Sequence, residues 1–238
     1  MNKVYLIEDF TLATCSYNTP VITMNMISSF YMLGYICDLL ISENSSNEDT
    51  ANLLDMNELS YFRNPSMGHS PGVDLLFEKC QTRYMLLVDT DVLFLHDINP
   101  LLNEFKQSGA AICGVVQGSR GGLDLYDRIC PWFCFFDLKQ IKEHGFKFYD
   151  SVRFSQHLTE QSGSKIYDTG ATILEDIKNA NLGVLAISEG DQNYYINHFE
   201  GMSWRKDSNN PGLIALANQV EQYYIGVCKG MGLNYVLS

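Results

Sequence analysis

Basic side chains are scarce in this chain: 16 lysines and arginines stand against 28 aspartates and glutamates, a formal net charge of −12. A field of that sign repels phosphate backbones, so a nucleic-acid surface is excluded unless the few cations gather on one face. An anionic substrate would need local neutralisation, by a metal ion or a small cationic patch. Long apolar runs are missing too. No stretch reaches the ~20 residues a membrane-spanning helix needs. The start, with Glu8 and Asp9, lacks the basic opening and small-residue cleavage site of a signal peptide, so the expected location is the cytoplasm. The seven cysteines show no zinc-site pairing. Cys130 and Cys134 lie four apart with no second pair to match, and most of the seven sit among apolar neighbours, as reduced core residues do. No repeat, linker or low-complexity segment interrupts the 238 residues, enough for one α/β domain with a substantial core.

The densest apolar run is Tyr84-Met85-Leu86-Leu87-Val88, followed at once by Asp89-Thr90-Asp91. It reads as a buried strand whose last residues leave the sheet. On an extended backbone, residues two apart point the same way, so Asp89 and Asp91 would present paired oxygens. Mg²⁺ or Mn²⁺ is commonly held by one or two carboxylates plus substrate phosphates, which makes such a strand end a diphosphate anchor. The same tripeptide also fits an Asp-rich turn.

Around this strand the order is strand, loop, helix, strand, loop, the grammar of a parallel sheet. Residues 10–20 read as a strand breaking into a loop, 37–42 as a second strand, 24–33 as a helix closed by Gly34, and 43–50 as a polar loop. Further strands are expected at 59–63, 110–116, 132–136 and 182–187, and helices at 73–80, 101–106, 137–144, 171–181 and 214–230. Asp168 is placed to cap the helix from 171, and residues 117–122, rich in glycine, read as the most flexible loop. In parallel sheets ligands bind where the strands' carboxyl ends meet the loops, here 14–18, 43–47 and 89–91.

Thr14-Cys15-Ser16-Tyr17-Asn18, Ile41-Ser42-Glu43-Asn44, Gly68-His69-Ser70-Pro71-Gly72-Val73-Asp74, Leu87-Val88-Asp89-Thr90-Asp91, Tyr167-Asp168-Thr169-Gly170 and His198-Phe199-Glu200-Gly201 occur in that order. The ordered set resembles the GT-A glycosyltransferases of the family 2 type, over about residues 10–205. The resemblance implies a Rossmann-like, mostly parallel α/β sheet flanked by helices in one domain. It also implies a nucleotide-sugar half (about 10–105), an acceptor half (about 106–205) and a C-terminal helix or flap (206–238). It implies transfer of a sugar from a nucleotide-diphosphate sugar, a UDP-sugar favoured, to an acceptor hydroxyl.

In such an enzyme Asp89 and Asp91 would bind Mn²⁺ or Mg²⁺, with Thr90 between them at the donor. His198 would add a nitrogen ligand, or else be a half-buried histidine among aromatics. Thr14, Ser16 and Tyr17 would line the base and Glu43 would accept from the nucleoside, unless all four merely cap loops. His69 and Asp74 would reach the donor or cap the following helix. Asp168 is the chosen proton acceptor for an inverting transfer, beside Asp91 as the other catalytic carboxylate, or is a helix cap and nothing more. Asp191 and the Glu175-Asp176 pair are weaker candidates for the base. Arg205 and Lys206 could hold the diphosphate, and Trp132 and Trp204 could stack on a sugar ring or belong to the core.

Two departures from the family pattern stand out: Ser45 where glycine is commoner, and no plain Glu-Asp dyad on the acceptor side. The acceptor stays open among a saccharide, a protein and a modified nucleic-acid base. Two rival readings compete. Asp89-Thr90-Asp91 also fits the nucleophile motif of haloacid dehalogenase-like phosphatases, although several strand-helix units precede it here. The fold could also serve a nucleotide-sugar-binding module without turnover.

Overall fold

The structure, a computed structural model, describes residues 4–65, 67–119, 124–153, 166–202 and 209–234. In chain order the elements are β1 (Tyr5–Ser16), α1 (Pro20–Met32), β2 (Tyr35–Glu43), α2 (Asp49–Met56), β3 (Phe62–Arg63), α3 (His69–Lys79), β4 (Tyr84–Val88), β5 (Val92–Phe94) and α4 (Asn99–Ser108). They continue with β6 (Ile112–Gln117), β7 (Arg128–Asp137), α5 (Leu138–Glu143), α6 (Ala171–Asn179), β8 (Val184–Ile187), α7 (Glu189–Tyr195), β9 (Ile196–His198) and α8 (Pro211–Met231).

Seven strands form one sheet in the order β3-β2-β1-β4-β7-β6-β8. Strands β1 to β4 pair parallel, β7 alone runs against its neighbours β4 and β6, and β8 lies parallel to β6. This is the expected mostly parallel Rossmann-like sheet. Every residue of β4 is buried, because helices cover both faces, and that is why its sequence is an unbroken apolar run rather than an alternation. One face packs on α1 and α4 through Met26, Phe30, Leu102 and Phe105. The other packs on α3, α5 and α6 through Val73, Phe77, Ile141 and Ile173. A third cluster joins Ile22, Leu93, Phe199 and Met202 to Tyr224 and Cys228 of α8.

Two close approaches fix the helices near the site. A Cβ on Gly72 would lie 2.7 Å from the Asn44 amide nitrogen and 2.9 Å from Cys15 Sγ, so α3 sits hard against the ends of β1 and β2. Gly170 has φ +85°, and a Cβ there would lie 2.1 Å from the Ile129 carbonyl oxygen; only glycine lets the chain turn into α6 against β7.

The structure departs from the sequence reading in four places. The polar loop expected over 43–50 ends early, because a helix over Asp49–Met56 begins within it, with Thr50, Ala51 and Leu54 supplying a short buried face. The cap of α6 is Gly170, with Asp168 further out accepting the Ala171 N–H on its carbonyl. The strand at 132–136 extends over Arg128–Asp137, and residues 189–198 hold a short helix and strand that aromatic density concealed. Among the described residues no helix is long and apolar enough to cross a membrane.

Candidate active site

Parallel pairing brings Ser16 level with Glu43, and β4 lies alongside β1, so three strand ends open on one edge. Just past β4 the backbone turns at Thr90 and Asp91 and enters β5. It is this turn, not an extended strand, that brings the two carboxylates together. β5 pairs antiparallel with β9, Val92 opposite His198, which delivers the imidazole to the same point. One ligand atom each from Asp89, Asp91 and His198 lies within 4.8 Å of the others. They border a cleft of about 730 Å³, together with Cys15, Tyr17, Asn44, His69, Arg128, Trp132 and Asp168.

The carboxylates are held in place. Asp91 is buried; its backbone carbonyl accepts the Phe199 N–H at 2.8 Å, its Oδ2 accepts the Gly201 N–H at 3.2 Å, and its Oδ1 lies 3.4 Å from His198 Nε2. Asp89 Oδ1 lies 3.1 Å from His69 Nε2, at the first residue of α3. Each carboxylate thus faces one imidazole. Burial works against charge on both rings, yet the hydrogen bond and charge of Asp89 hold His69 above the ordinary histidine value, and those of Asp91 do the same for His198. Burial likewise pushes Asp89 up, but His69, with His198 and Arg128 further off, leaves it below the usual carboxylate range.

As a donor set, two carboxylates and an imidazole fit a divalent cation of the Mn²⁺ kind, and the 3.4 Å between Asp91 and His198 is close enough to share one ion.

Several expected residues lie elsewhere. Thr14 and Ser16 are fully buried and do not line the cleft; Ser16 Oγ bonds Thr23 Oγ1 at 2.8 Å. Cys15, on the opposite face of β1, lines it instead, as strand alternation requires, and so does Tyr17 just past the strand. The Glu43 carboxylate is buried and taken by the Ser45 N–H at 2.8 Å and by the Arg63 guanidinium, so it shapes the loop rather than facing the cleft. Asp74 accepts the Phe148 and Tyr149 N–H groups at 2.6 and 3.2 Å, away from the donor side. Thr90 lines the cleft, its hydroxyl 3.2 Å from that of Thr19.

Asp168 lines the cleft as well, with Oδ2 2.5 Å from Arg128 Nη1 and Oδ1 accepting the Thr169 N–H at 2.8 Å. Arg128, only 4% exposed, went unread in the sequence because its position at the foot of a long strand gives no local signal. Glu175 and Asp176 bind Arg153, and Asp191 closes a capping box with Ser188 on α7. Trp204, Arg205 and Lys206 lie outside the described residues.

A mostly parallel sheet with two carboxylates and a histidine at its carboxyl edge defines a GT-A type of site. Residues 11–164 match the family described as Glycosyl transferase family 2; the chain belongs to that family and is a glycosyltransferase, which sets aside the phosphatase reading. Among curated protein sequences no relative matches. Among solved structures it is similar to the mannosyltransferase PcManGT from Pyrobaculum calidifontis in complex with GDP-Man and Mn²⁺, at 10% identity and TM-score 0.56 over 91% of this chain and 70% of that one. It is also similar to the galactosyltransferase LgtC in complex with donor and acceptor sugar analogs, at 12% identity and TM-score 0.54 over 88% and 95% of the two chains. A third likeness is to residues 1-349 of S. aureus TarS, at 11% identity and TM-score 0.53 over 90% and 68%. At such identities the likeness is one of fold.

Proposed function

We propose that the chain moves a sugar from a nucleotide-diphosphate sugar, a UDP-sugar in the first instance, to an acceptor hydroxyl, with Mn²⁺ or Mg²⁺ held by Asp89, Asp91 and His198. The observation that carries this reading is the convergence of those three side chains on one cleft at the carboxyl edge of the sheet. The chemistry such an ion supplies is Lewis acidity towards the two phosphates of the donor. The imidazole favours Mn²⁺ over Mg²⁺.

The chain's own groups do the rest. Tyr17 and Asn44, at the ends of β1 and β2, are assigned to the nucleoside, and His69 at the start of α3 to the diphosphate. Arg128, Trp132 and Asp168 come from β7 and the approach to α6, and are assigned to the sugar and acceptor side. Asp168 is the proton acceptor in an inverting transfer, with one of its oxygens already engaged by the Arg128 guanidinium. The donor half is residues 10–105 and the acceptor half 106–205, followed by 206–238 as a C-terminal helix or flap, and the reaction is cytoplasmic.

Release of nucleoside diphosphate from a panel of nucleotide sugars, with Mn²⁺ and with chelator, tests the reading. Metal-dependent release from one donor, lost in D91A, supports it. Release unaffected by chelator and by D91A would overturn the metal assignment.

A further inference from the structure

The geometry points to Trp132 as a positioning residue of the metal centre: it fixes the plane of the His198 imidazole and ties it to Asp89. The inference rests on the proposed ion at Asp89, Asp91 and His198. The indole and imidazole rings stack with centroids 4.7 Å apart and planes 17° from parallel. The backbone of the same residue reaches the other end of the triad, since the Asp89 N–H points to the Trp132 carbonyl oxygen at 3.4 Å.

The contact answers a weakness in the architecture. Asp89 stands just past the end of β4 in the seven-stranded sheet, whereas His198 stands on β9, which among the described residues pairs only with β5 in a separate two-stranded ribbon. Main-sheet hydrogen bonds therefore do not set the distance between them. β7 is the neighbour of β4, with Phe133 opposite Val88, so Trp132 belongs rigidly to the main sheet and carries its ring across to the ribbon.

Metal-bound histidines usually have the second ring nitrogen hydrogen-bonded, which fixes the ring. Among the described residues none bonds His198 Nδ1, and the stack is the contact left to orient the ring. Trp132 is itself braced: the Arg128 guanidinium lies 5.4 Å from its ring centroid and is held by Asp168 at 2.5 Å and Gln117 at 3.2 Å. The indole Nε1 is buried with no partner among the described residues, a cost that phenylalanine would avoid; a large flat surface is what the position uses.

Mn²⁺ binding without donor, read from the electron paramagnetic resonance signal of free Mn²⁺, tests this on wild type, H198A, W132F, W132L and the H198A/W132L double variant. W132L is expected to weaken binding by about tenfold, the usual effect of losing an outer-shell partner. W132F, which keeps a ring to stack, is expected to stay closer to wild type. The double variant is expected to bind no more weakly than H198A alone, because the indole acts through the imidazole. Wild-type affinity in W132L beside a weakened H198A would overturn the inference and leave the metal assignment standing. So would full additivity of the two losses. A wild type that binds no Mn²⁺ overturns both. Should W132L fail to fold by circular dichroism, W132F against W132H carries the comparison. Both keep a flat ring, and a tenfold loss in both would overturn the stacking role.

Discussion

Asp91 is constrained on three sides, by Phe199, Gly201 and His198, and its replacement can be chosen to separate folding from chemistry. In D91N the amide oxygen can still accept the Gly201 N–H, while the charged ligand oxygen is lost. The expected result is a melting temperature near wild type and turnover reduced at least about 100-fold, since on the proposed reading several kcal/mol of charge stabilisation would depend on the ion. A stopped turnover assay beside a thermal melt checks both halves. Asp168 has a different signature. If it takes the acceptor proton, D168N lowers kcat by about 100-fold or more and leaves donor KM unchanged; if it serves only to hold Arg128, R128K and D168N shift the same parameter by similar amounts. At this scale strand parity was the signal that mattered. Tyr17, just past β1, was legible, but Thr14 and Ser16 lie on the face of β1 away from the cleft, and alternation puts Cys15 on the cleft side. Glu43 and Asp74 read as binding groups because a carboxylate beside a loop carries no mark of its partner; Arg63 lies 20 residues from the first, and Phe148 74 residues from the second.

The end of β7 is pinned by Asp137, which binds Arg83 at 2.8 Å and accepts the Lys139 N–H at the start of α5. Burial pushes this carboxyl up, but the bonds from Arg83 and Gln140 outweigh it and hold its value below the ordinary aspartate range. A carboxyl held lower in the folded than in the unfolded chain contributes stability above the unfolded value, about 3.9, and loses it as pH falls through the folded value. D137N is therefore expected to melt below wild type at pH 7, with the gap closing as pH drops below about 4; a gap that does not change with pH would contradict the ion pair. Among the turns, G170A is expected to cost stability heavily, through a Cβ 2.1 Å from the Ile129 oxygen and a left-handed backbone, each strained residue of this kind costing about 1–3 kcal/mol. Chemical denaturation measures it. The elements with a strong local mark were legible: β4 by its apolar run, α5 and α6 by flanking glycines, α8 by length. α2 and the β5–β9 ribbon were not, because they carry no such mark and owe their form to what they pack against.

At the scale of the whole molecule, the surface charge and the site act in opposite senses. A chain of net charge −12 repels an anionic donor at long range, so on the proposed reading capture would depend on the cation and on Arg128 and His69 in the cleft. α8 belongs to the same arrangement. Asn25 of α1 donates to the Tyr224 hydroxyl at 2.9 Å, and Tyr224 packs edge-on against Phe199 with centroids 4.9 Å apart, next to His198. Y224A is expected to lower the melting temperature and to weaken Mn²⁺ affinity together, because the buried ring backs the segment that carries the ligand; calorimetry of both quantities checks the link. The overall fold was legible because strand order and motif order agree over most of the chain, while the partners of individual side chains depend on contacts far apart in sequence.

The most direct test is a thermal-shift panel of UDP-, GDP-, CDP- and dTDP-sugars, each with Mn²⁺ and with chelator, on wild type and D91N. One nucleotide sugar at about 100 times its Kd is expected to raise the wild-type melting temperature by about 5–10 °C with Mn²⁺ present, and by little with chelator or in D91N. A shift of the same size in chelator, or in D91N, would contradict a donor held through a cation at Asp89, Asp91 and His198.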